Sequence, residues 1–297
     1  MSWKLLFWAF PVLLFASCDQ LSLSSREFDS KINDPIVRYK EDRDVAYGKN
    51  PYQRVDVFFP ESVYERPSEV MIMIHGGNWF FGDKWFLQPS VDEVMKARKN
   101  LTIVNINYTI TVLDPRKTMF EQQMADIDSC VSYLRRNVAK YNIRADRFAI
   151  MGASAGAHLA LSYAYTLGKK KIHTVLGMSA ITELASAKYL TPTLINDIKG
   201  LTGYDERKKN EEVLVKASPV HLASADAPRT ILLYGLDDGS VAVRQQTLLR
   251  ERLLALKVPN SLYTLKGQGH NVEAKYVAET ILGGLGADEY DLYSEEF

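Results

Sequence analysis

Cysteine and histidine are scarce in this 297-residue chain, which has two Cys and five His. Two thiols cannot build a disulfide framework, so a small stapled scaffold is excluded. Charge of one sign is also missing, because 36 Lys and Arg stand against 36 Asp and Glu. With zero net charge and no basic patch on a periodic face, nothing draws the chain to phosphate backbones, and no nucleic-acid partner is expected. There is no internal repeat, and the conspicuous apolar run at 5–16 is shorter than the roughly 20 residues that cross a bilayer. What remains is an ordinary globular composition, 46% hydrophobic and 24% charged. Such a chain can bury a large core as one domain or two smaller ones.

One positive charge, Lys4, precedes the run LLFWAFPVLLFA, and Ser17, Cys18 and Asp19 end it. This is the pattern of a secretory signal; Pro11 and the lack of a polar face argue against a short buried helix. Phe15-Ala16-Ser17-Cys18 resembles the lipobox of bacterial lipoproteins, with Phe15 in place of the usual Leu. Residues 1–18 are therefore expected to be a lipoprotein signal. Cys18 is the expected lipidation site, giving membrane attachment and export to the bacterial cell envelope. Ordinary cleavage to a secreted or periplasmic soluble protein is the competing reading. Cys130 is then left as a buried thiol. Residues 19–44 read as a polar tether, and the acidic segment 286–297 as a solvated tail.

From about residue 45 to 285, short β-rich runs alternate with helical periods. The spacing predicts strands at 53–59, 70–74, 101–108, 147–151, 172–178, 230–234 and 261–265. Helices are predicted at 119–141, 155–167, 243–256 and 272–282. Several strands are apolar throughout, as central strands covered on both faces are. The fold class is thus α/β, with a mostly parallel sheet and helices on both sides. Residues 180–220 break the alternation and are long enough to form an insertion over one end of the sheet.

The strand at 147–151 runs into Gly152-Ala153-Ser154-Ala155-Gly156, followed at once by a helix. A bare G-x-S-x-G arises by chance in about one chain in ten of this length, so the context carries the argument. Strand, sharp turn and helix make a nucleophile elbow, with small residues on both sides so that neighbouring backbones can close around Ser154. A serine hydroxyl needs a base within hydrogen-bond reach and a group to orient that base. His270, in Gly267-Gln268-Gly269-His270 after the last strand, lies at the correct end of the sheet. His158, His173 and His221 read as structural. Asp237 and Asp238 both follow the strand at 230–234, and either can reach a histidine. After the strand at 70–74 comes His75-Gly76-Gly77-Asn78-Trp79, where two glycines can turn N–H groups toward a carbonyl oxygen. The oxyanion hole is expected from Gly76, Gly77 and the N–H of Ala155, with Asn78 and Trp79 as substrate contacts.

In the order Ser154, Asp238, His270, and in these motifs, the sequence resembles the α/β-hydrolase superfamily. Within it the likeness is to esterases related to hormone-sensitive lipase, bacterial carboxylesterases and kynurenine formamidase, over about residues 45–282. Asn78 replaces the third Gly of the HGGG form, so the loop is of the HGGxW type. Further likeness lies in Tyr47-Gly48-x-x-Pro51-Tyr52-Gln53, Gly82-Asp83-Lys84, Tyr108, Ala217-Ser218-Pro219 and Gly235-x-x-Asp238-x-x-Val241. The last pattern favours Asp238 over Asp237 as the triad acid. The resemblance also implies that His75 supports the oxyanion loop, and that neither metal nor cofactor is used. Residues 180–220 stand where such hydrolases carry a cap, so Tyr189, Leu190, Leu194 and Ile195 are expected to cover the site, and a cap this short implies small or moderate acyl esters. The resemblance implies a carboxylesterase-type hydrolase, with acetyl or feruloyl esters of carbohydrates among its substrates. An arylformamidase acting on N-formylkynurenine-type amides, and a non-catalytic binding protein on the same fold, are the alternatives. The aromatic cluster Trp79, Phe80, Phe81, Trp85 and Phe86 reads equally as pocket lining or core.

Overall fold

Apolar positions at period two and period 3.6 leave one economical solution, a sheet with helices on both faces, and that is the arrangement formed. The computed structural model describes residues 38–61, 66–97 and 100–286. Its strands are β1 (Tyr39–Ala46), β2 (Arg54–Pro60), β3 (Ser68–Ile74), β4 (Leu101–Ile106), β5 (Ile143–Ala153), β6 (Ile172–Met178), β7 (Arg229–Gly235) and β8 (Asn260–Leu265). The helices are α1 (Gln88–Ala97), α2 (Met119–Arg136), α3 (Val138–Tyr141), α4 (Ala155–Tyr165), α5 (Pro192–Thr202), α6 (Glu212–Ala217), α7 (Pro219–Leu222), α8 (Arg244–Ala255) and α9 (Ala274–Gly286). The expected signal 1–18 with Cys18, most of the tether, and nearly all of the acidic tail lie outside the described residues.

The strands form one sheet in the order β1-β2-β4-β3-β5-β6-β7-β8. The pairs β1–β2 and β2–β4 are antiparallel, and every later pair is parallel. Alternate residues of each central strand feed two cores. On β3, Val70, Ile72 and Ile74 join the core under α2 and α4, while Met71 and Met73 join the core under α1 and α9. All eleven residues of α4 are buried, which fits a helix packed against the middle of the sheet. The chain leaves β3 toward β4 on one side and β5 toward β6 on the other. Between β3 and β5 lies the crevice where open α/β sheets bind ligands, outside the carboxyl ends of the strands.

Two boundaries differ from the sequence reading. Residues 39–44, assigned to the tether, are strand β1, an edge strand of mostly charged, exposed residues that carries no apolar alternation. The single helix expected at 119–141 is two, α2 and α3, broken at Asn137, which caps the first. Cys130 is fully buried on α2, and burial pushes its thiol well above the ordinary range. No helix of the described residues is long and apolar enough to cross a membrane.

Candidate active site

β5 delivers Ser154 to the carboxyl end of the sheet in a backbone conformation that serine rarely adopts, φ 53 and ψ −117. The turn holds because Ser154 N–H donates to the Met178 carbonyl at 2.8 Å and its own carbonyl accepts from His158 N–H at 3.0 Å. A Cβ on Gly156 would overlap the carbonyl oxygens of Ile74 and His75, so β3 and α4 meet only over a glycine. Serine at a helix N-cap normally turns its hydroxyl onto the first turn. Here it makes no cap, and Ser154 Oγ lies 3.0 Å from His270 Nε2 instead.

His270 follows β8, and the loops after β7 and β8 are stitched together: Leu236 N–H donates to Leu265 O and Asp237 N–H to Gln268 O, both at 2.9 Å. Ser179 Oγ donates to the His270 carbonyl at 2.9 Å. On its other side, His270 Nδ1 lies 2.9 Å from Asp238 Oδ2, and that carboxylate side chain is fully enclosed. Asp238 Oδ1 accepts the N–H groups of Ser240 and Val241 at 2.8 and 3.0 Å. Burial alone would raise the Asp238 carboxyl, but the hydrogen bond to His270 and the two backbone donors outweigh it and hold it below the usual carboxylate range. An ionised Asp238 accepts only, so the network dictates the tautomer with the proton on Nδ1 and the lone pair of Nε2 facing Ser154. Asp237 is exposed and stands apart from this chain of contacts.

The loop after β3 comes from the neighbouring strand, and it is tightly turned. Gly77 sits at φ 118, and its carbonyl accepts from Phe80 and Phe81 N–H, both at 3.0 Å. Gly76 faces Ser154, where an added Cβ would stand 3.3 Å from the serine Cβ. The Gly76 carbonyl is held by His75 Nδ1 at 2.6 Å, so in a trans peptide the Gly77 N–H is turned the other way. His75 is buried beneath Tyr108, whose ring stacks on it at 4.4 Å and whose hydroxyl donates to the His75 carbonyl. Burial lowers the His75 pKa to about 4, so the imidazole is neutral and donates to Gly76. Ala155 opens α4, where the first N–H groups have no intrahelical partner. Gly76 and Gly77 line the space beside Ser154, and Ala155 follows it directly at the start of α4.

That space is a half-open cleft of about 500 Å³. Gly76, Gly77, Ser154 and His270 line it together with the aromatic rings of Phe81, Trp85 and Phe86 and the aliphatic side chains of Met178 and Val272. No Lys, Arg, Asp or Glu lines it among the described residues. The aromatic cluster therefore divides. Phe81, Trp85 and Phe86 are 55%, 64% and 43% exposed at the cleft, whereas Trp79 is entirely buried.

Two expectations need correction. Trp79 is not a substrate contact: at φ 68 its backbone turns the ring into the core, where Nε1 donates to His158 Nδ1 at 3.1 Å. His158 Nε2 in turn meets the Ala217 carbonyl at 2.7 Å, and burial lowers this histidine to about 4, fixing a neutral structural role. Nor do Tyr189, Leu190, Leu194 and Ile195 cover the cleft. Leu190 and Ile195 line a separate cavity of about 150 Å³, and Leu194 is buried in the core. Asn78 does line the cleft, with its side-chain amide donating to Asp197 Oδ2 of α5 at 2.9 Å. Asp197 belongs to no motif, and nothing in the sequence signals its contact with a residue 119 positions away. Among the described residues no group of three or more His, Cys, Asp or Glu is placed to hold a metal ion.

Comparison with known proteins agrees with this architecture. The BD-FAE family model matches residues 55–253, about two thirds of the chain, from β2 through most of α8. The chain belongs to the BD-FAE family. The match takes in the Gly76–Gly77 loop, Ser154 and Asp238 and stops short of His270. Esterase LipC of Mycobacterium tuberculosis is 24% identical over 250 residues, covering 80% of this chain and 61% of LipC. The probable isoprenylcysteine alpha-carbonyl methylesterase ICMEL2 of Arabidopsis thaliana is 23% identical over 247 residues, 77% of this chain and 56% of that protein. The chain thus spans somewhat over half the length of these relatives. Among solved structures, a truncated form of carbohydrate esterase from gut microbiota superimposes with a TM-score of 0.67 at 17% identity, covering 81% of this chain and 96% of the other. Esterase B from Lactobacillus rhamnosis does so with a TM-score of 0.62 at 19% identity, covering 84% and 83%. These likenesses establish the α/β-hydrolase fold.

Proposed function

We propose that the BD-FAE chain is a serine carboxylic ester hydrolase of small or moderate acyl esters, with Ser154 as nucleophile, His270 as base and Asp238 as the orienting acid. The observation that carries this reading is the unbroken relay Ser154 Oγ, His270, Asp238, at 3.0 and 2.9 Å, opening into a cleft. Ser154 attacks the ester carbonyl as Nε2 takes its proton, and the carbonyl oxygen becomes an oxyanion facing the N–H groups of Gly76, Gly77 and Ala155. Nε2–H then protonates the departing alcohol, leaving an acyl group on Ser154. Water repeats the sequence, giving up its proton to Nε2 and releasing the acid. Each oxyanion donor is worth about 3 kcal/mol at the transition state.

The walls narrow the substrate. A cleft lined by aromatic and aliphatic side chains with no charged lining favours esters that are uncharged near the reacting carbonyl, since a buried, unpaired carboxylate or phosphate is costly there. Uncharged carbohydrate esters fit, and a structural neighbour described as a carbohydrate esterase supports that class. On the sequence alone, we also propose lipidation at Cys18, tested by mass spectrometry of the mature N-terminus; an unmodified chain starting at Asp19 contradicts it.

A panel of nitrophenyl acetate, butyrate and octanoate, feruloyl esters, acetylated xylan and N-formylkynurenine, run against Ser154→Ala, tests the function. Hydrolysis of short esters by the parent and its loss in the variant support the reading. Equal rates refute it, and a marked preference for N-formylkynurenine replaces it with the formamidase.

A further inference from the structure

On the ester-hydrolase reading above, we infer that Asp197 is a positioning residue for the oxyanion loop: through Asn78, helix α5 of the 180–220 insertion holds the Gly76–Gly77 N–H groups in register with Ser154.

The loop needs such a restraint. Gly77, Asn78 and Trp79 are three consecutive residues with positive φ, at 118, 45 and 68. For the two non-glycine residues this conformation costs on the order of 1–3 kcal/mol each and persists only where the surroundings impose it. Trp79 is imposed from the core side: its ring is buried against His158, and Gln123 Nε2 donates to its carbonyl at 2.7 Å. Asn78 stands on the cleft side of the same turn, and the hydrogen bond of its side chain goes to Asp197 Oδ2.

α5 is built to hold that position. Thr191 caps its start by accepting Leu194 N–H, Pro192 occupies its first turn, and Gly203 closes it in the left-handed region. Asp197 and Gly200 are three residues apart, on one helix face. The first meets Asn78. The second lets Phe80 approach so closely that an added Cβ would stand 3.0 Å from the ring. A glycine inside a helix costs about 0.5–1 kcal/mol, and the ring packed over it accounts for its presence here. Two successive contacts on α5 therefore grip residues 78 and 80, on either side of buried Trp79. The insertion acts on the chemistry by fixing this loop from outside the cleft rather than by roofing it.

A loosened loop lets the N–H groups drift from where the oxyanion forms, and a misplacement near 1 Å costs about 100-fold in rate. The substrate itself contacts the walls, so ground-state binding should change little. The test compares parent, Asp197→Leu, Asp197→Asn and Ser154→Ala on nitrophenyl acetate, with inhibition by a trifluoromethyl ketone as oxyanion mimic. Asp197→Leu is expected to lower kcat by about tenfold or more, leave KM within about twofold and weaken the ketone by a factor similar to the rate loss. Asp197→Asn keeps an oxygen that accepts from Asn78 and should recover most of the rate. If thermal melting shows that Asp197→Leu does not fold, Asp197→Ser is read in its place. The proposal is overturned if Asp197→Leu keeps the parent kcat, if it loses rate without losing affinity for the ketone, or if Asp197→Asn is equally impaired. A parent no faster than Ser154→Ala removes instead the ester-hydrolase reading on which the proposal rests.

Discussion

Replacing Asp238 by asparagine should abolish most of the activity through a proton in the wrong place, and the local geometry says why. The two backbone donors, Ser240 and Val241 N–H, lie 2.8 and 3.0 Å from Oδ1 and accept nothing in return. In Asp238→Asn the amide oxygen must face them, which leaves the NH₂ group against His270 Nδ1. To accept from it, Nδ1 must give up its proton, and the neutral imidazole then carries its hydrogen on Nε2, pointing at Ser154 Oγ. Such a histidine cannot take the serine proton. A triad trapped in this tautomer loses about 10⁴ in kcat, equivalent to about 5.5 kcal/mol at the transition state. The assay is kcat on nitrophenyl acetate at pH 7–8, with nitrogen NMR of His270 reporting which ring nitrogen bears hydrogen. A loss under about tenfold, or a proton still on Nδ1 in the variant, would show that Asp238 does not set the tautomer. Asp237→Asn is the matched control and should keep the parent rate, because Asp237 is exposed and takes no part in the relay.

Three further outcomes follow from the packing and the electrostatics. His75 and His158 are held neutral, each with its pKa lowered from 6.5 to about 4, chiefly by burial. The unfolded chain binds protons there that the folded chain refuses, so their contribution to stability is complete above pH 6.5 and falls as pH drops toward 4, by about 3 kcal/mol each. The melting temperature should fall by about 10 °C or more between pH 7 and pH 4, and a flat profile by calorimetry would contradict this. Gly156→Ala drives a methyl into two carbonyl oxygens of the β3 end; it should cost at least about 2 kcal/mol in urea unfolding, and an unchanged midpoint would show that the elbow tolerates a side chain. Trp85→Ala removes the most exposed part of the aromatic wall and should raise KM for aryl esters by about three- to tenfold, with a smaller effect on methyl acetate; equal effects on both would remove Trp85 from the cleft's selectivity.

The residues of the candidate relay were legible because each lies within a few positions of the end of a parallel strand, and parallel strands place their carboxyl ends together. Ser154 needed only the strand, turn and helix around it, and His270 only its place after the last strand. Choosing between Asp237 and Asp238 rested on the Gly235-x-x-Asp238-x-x-Val241 pattern, whose physical content is the two backbone donors that seat the carboxylate. Trp79 misled because linear neighbourhood says nothing about direction: two left-handed residues rotate it away from the cleft that Asn78 lines. β1 was hidden because an exposed edge strand of charged residues carries no apolar period. Leu184, Leu194, Leu201 and Leu214 of the 180–220 segment pack inward, and Asp197 within it accepts from Asn78. A contact between residues 78 and 197 depends on how β3 and α5 are arranged in space, which no local pattern encodes.

Whether Ser154 is the nucleophile that carries the acyl group is decided by treating the protein with a fluorophosphonate, mapping the modified peptide by mass spectrometry and measuring residual hydrolysis of nitrophenyl acetate. The expected result is one phosphonyl group on Ser154, formed in step with loss of activity and absent from Ser154→Ala. Complete inactivation with the label on another residue, or full activity with Ser154 labelled, would contradict it.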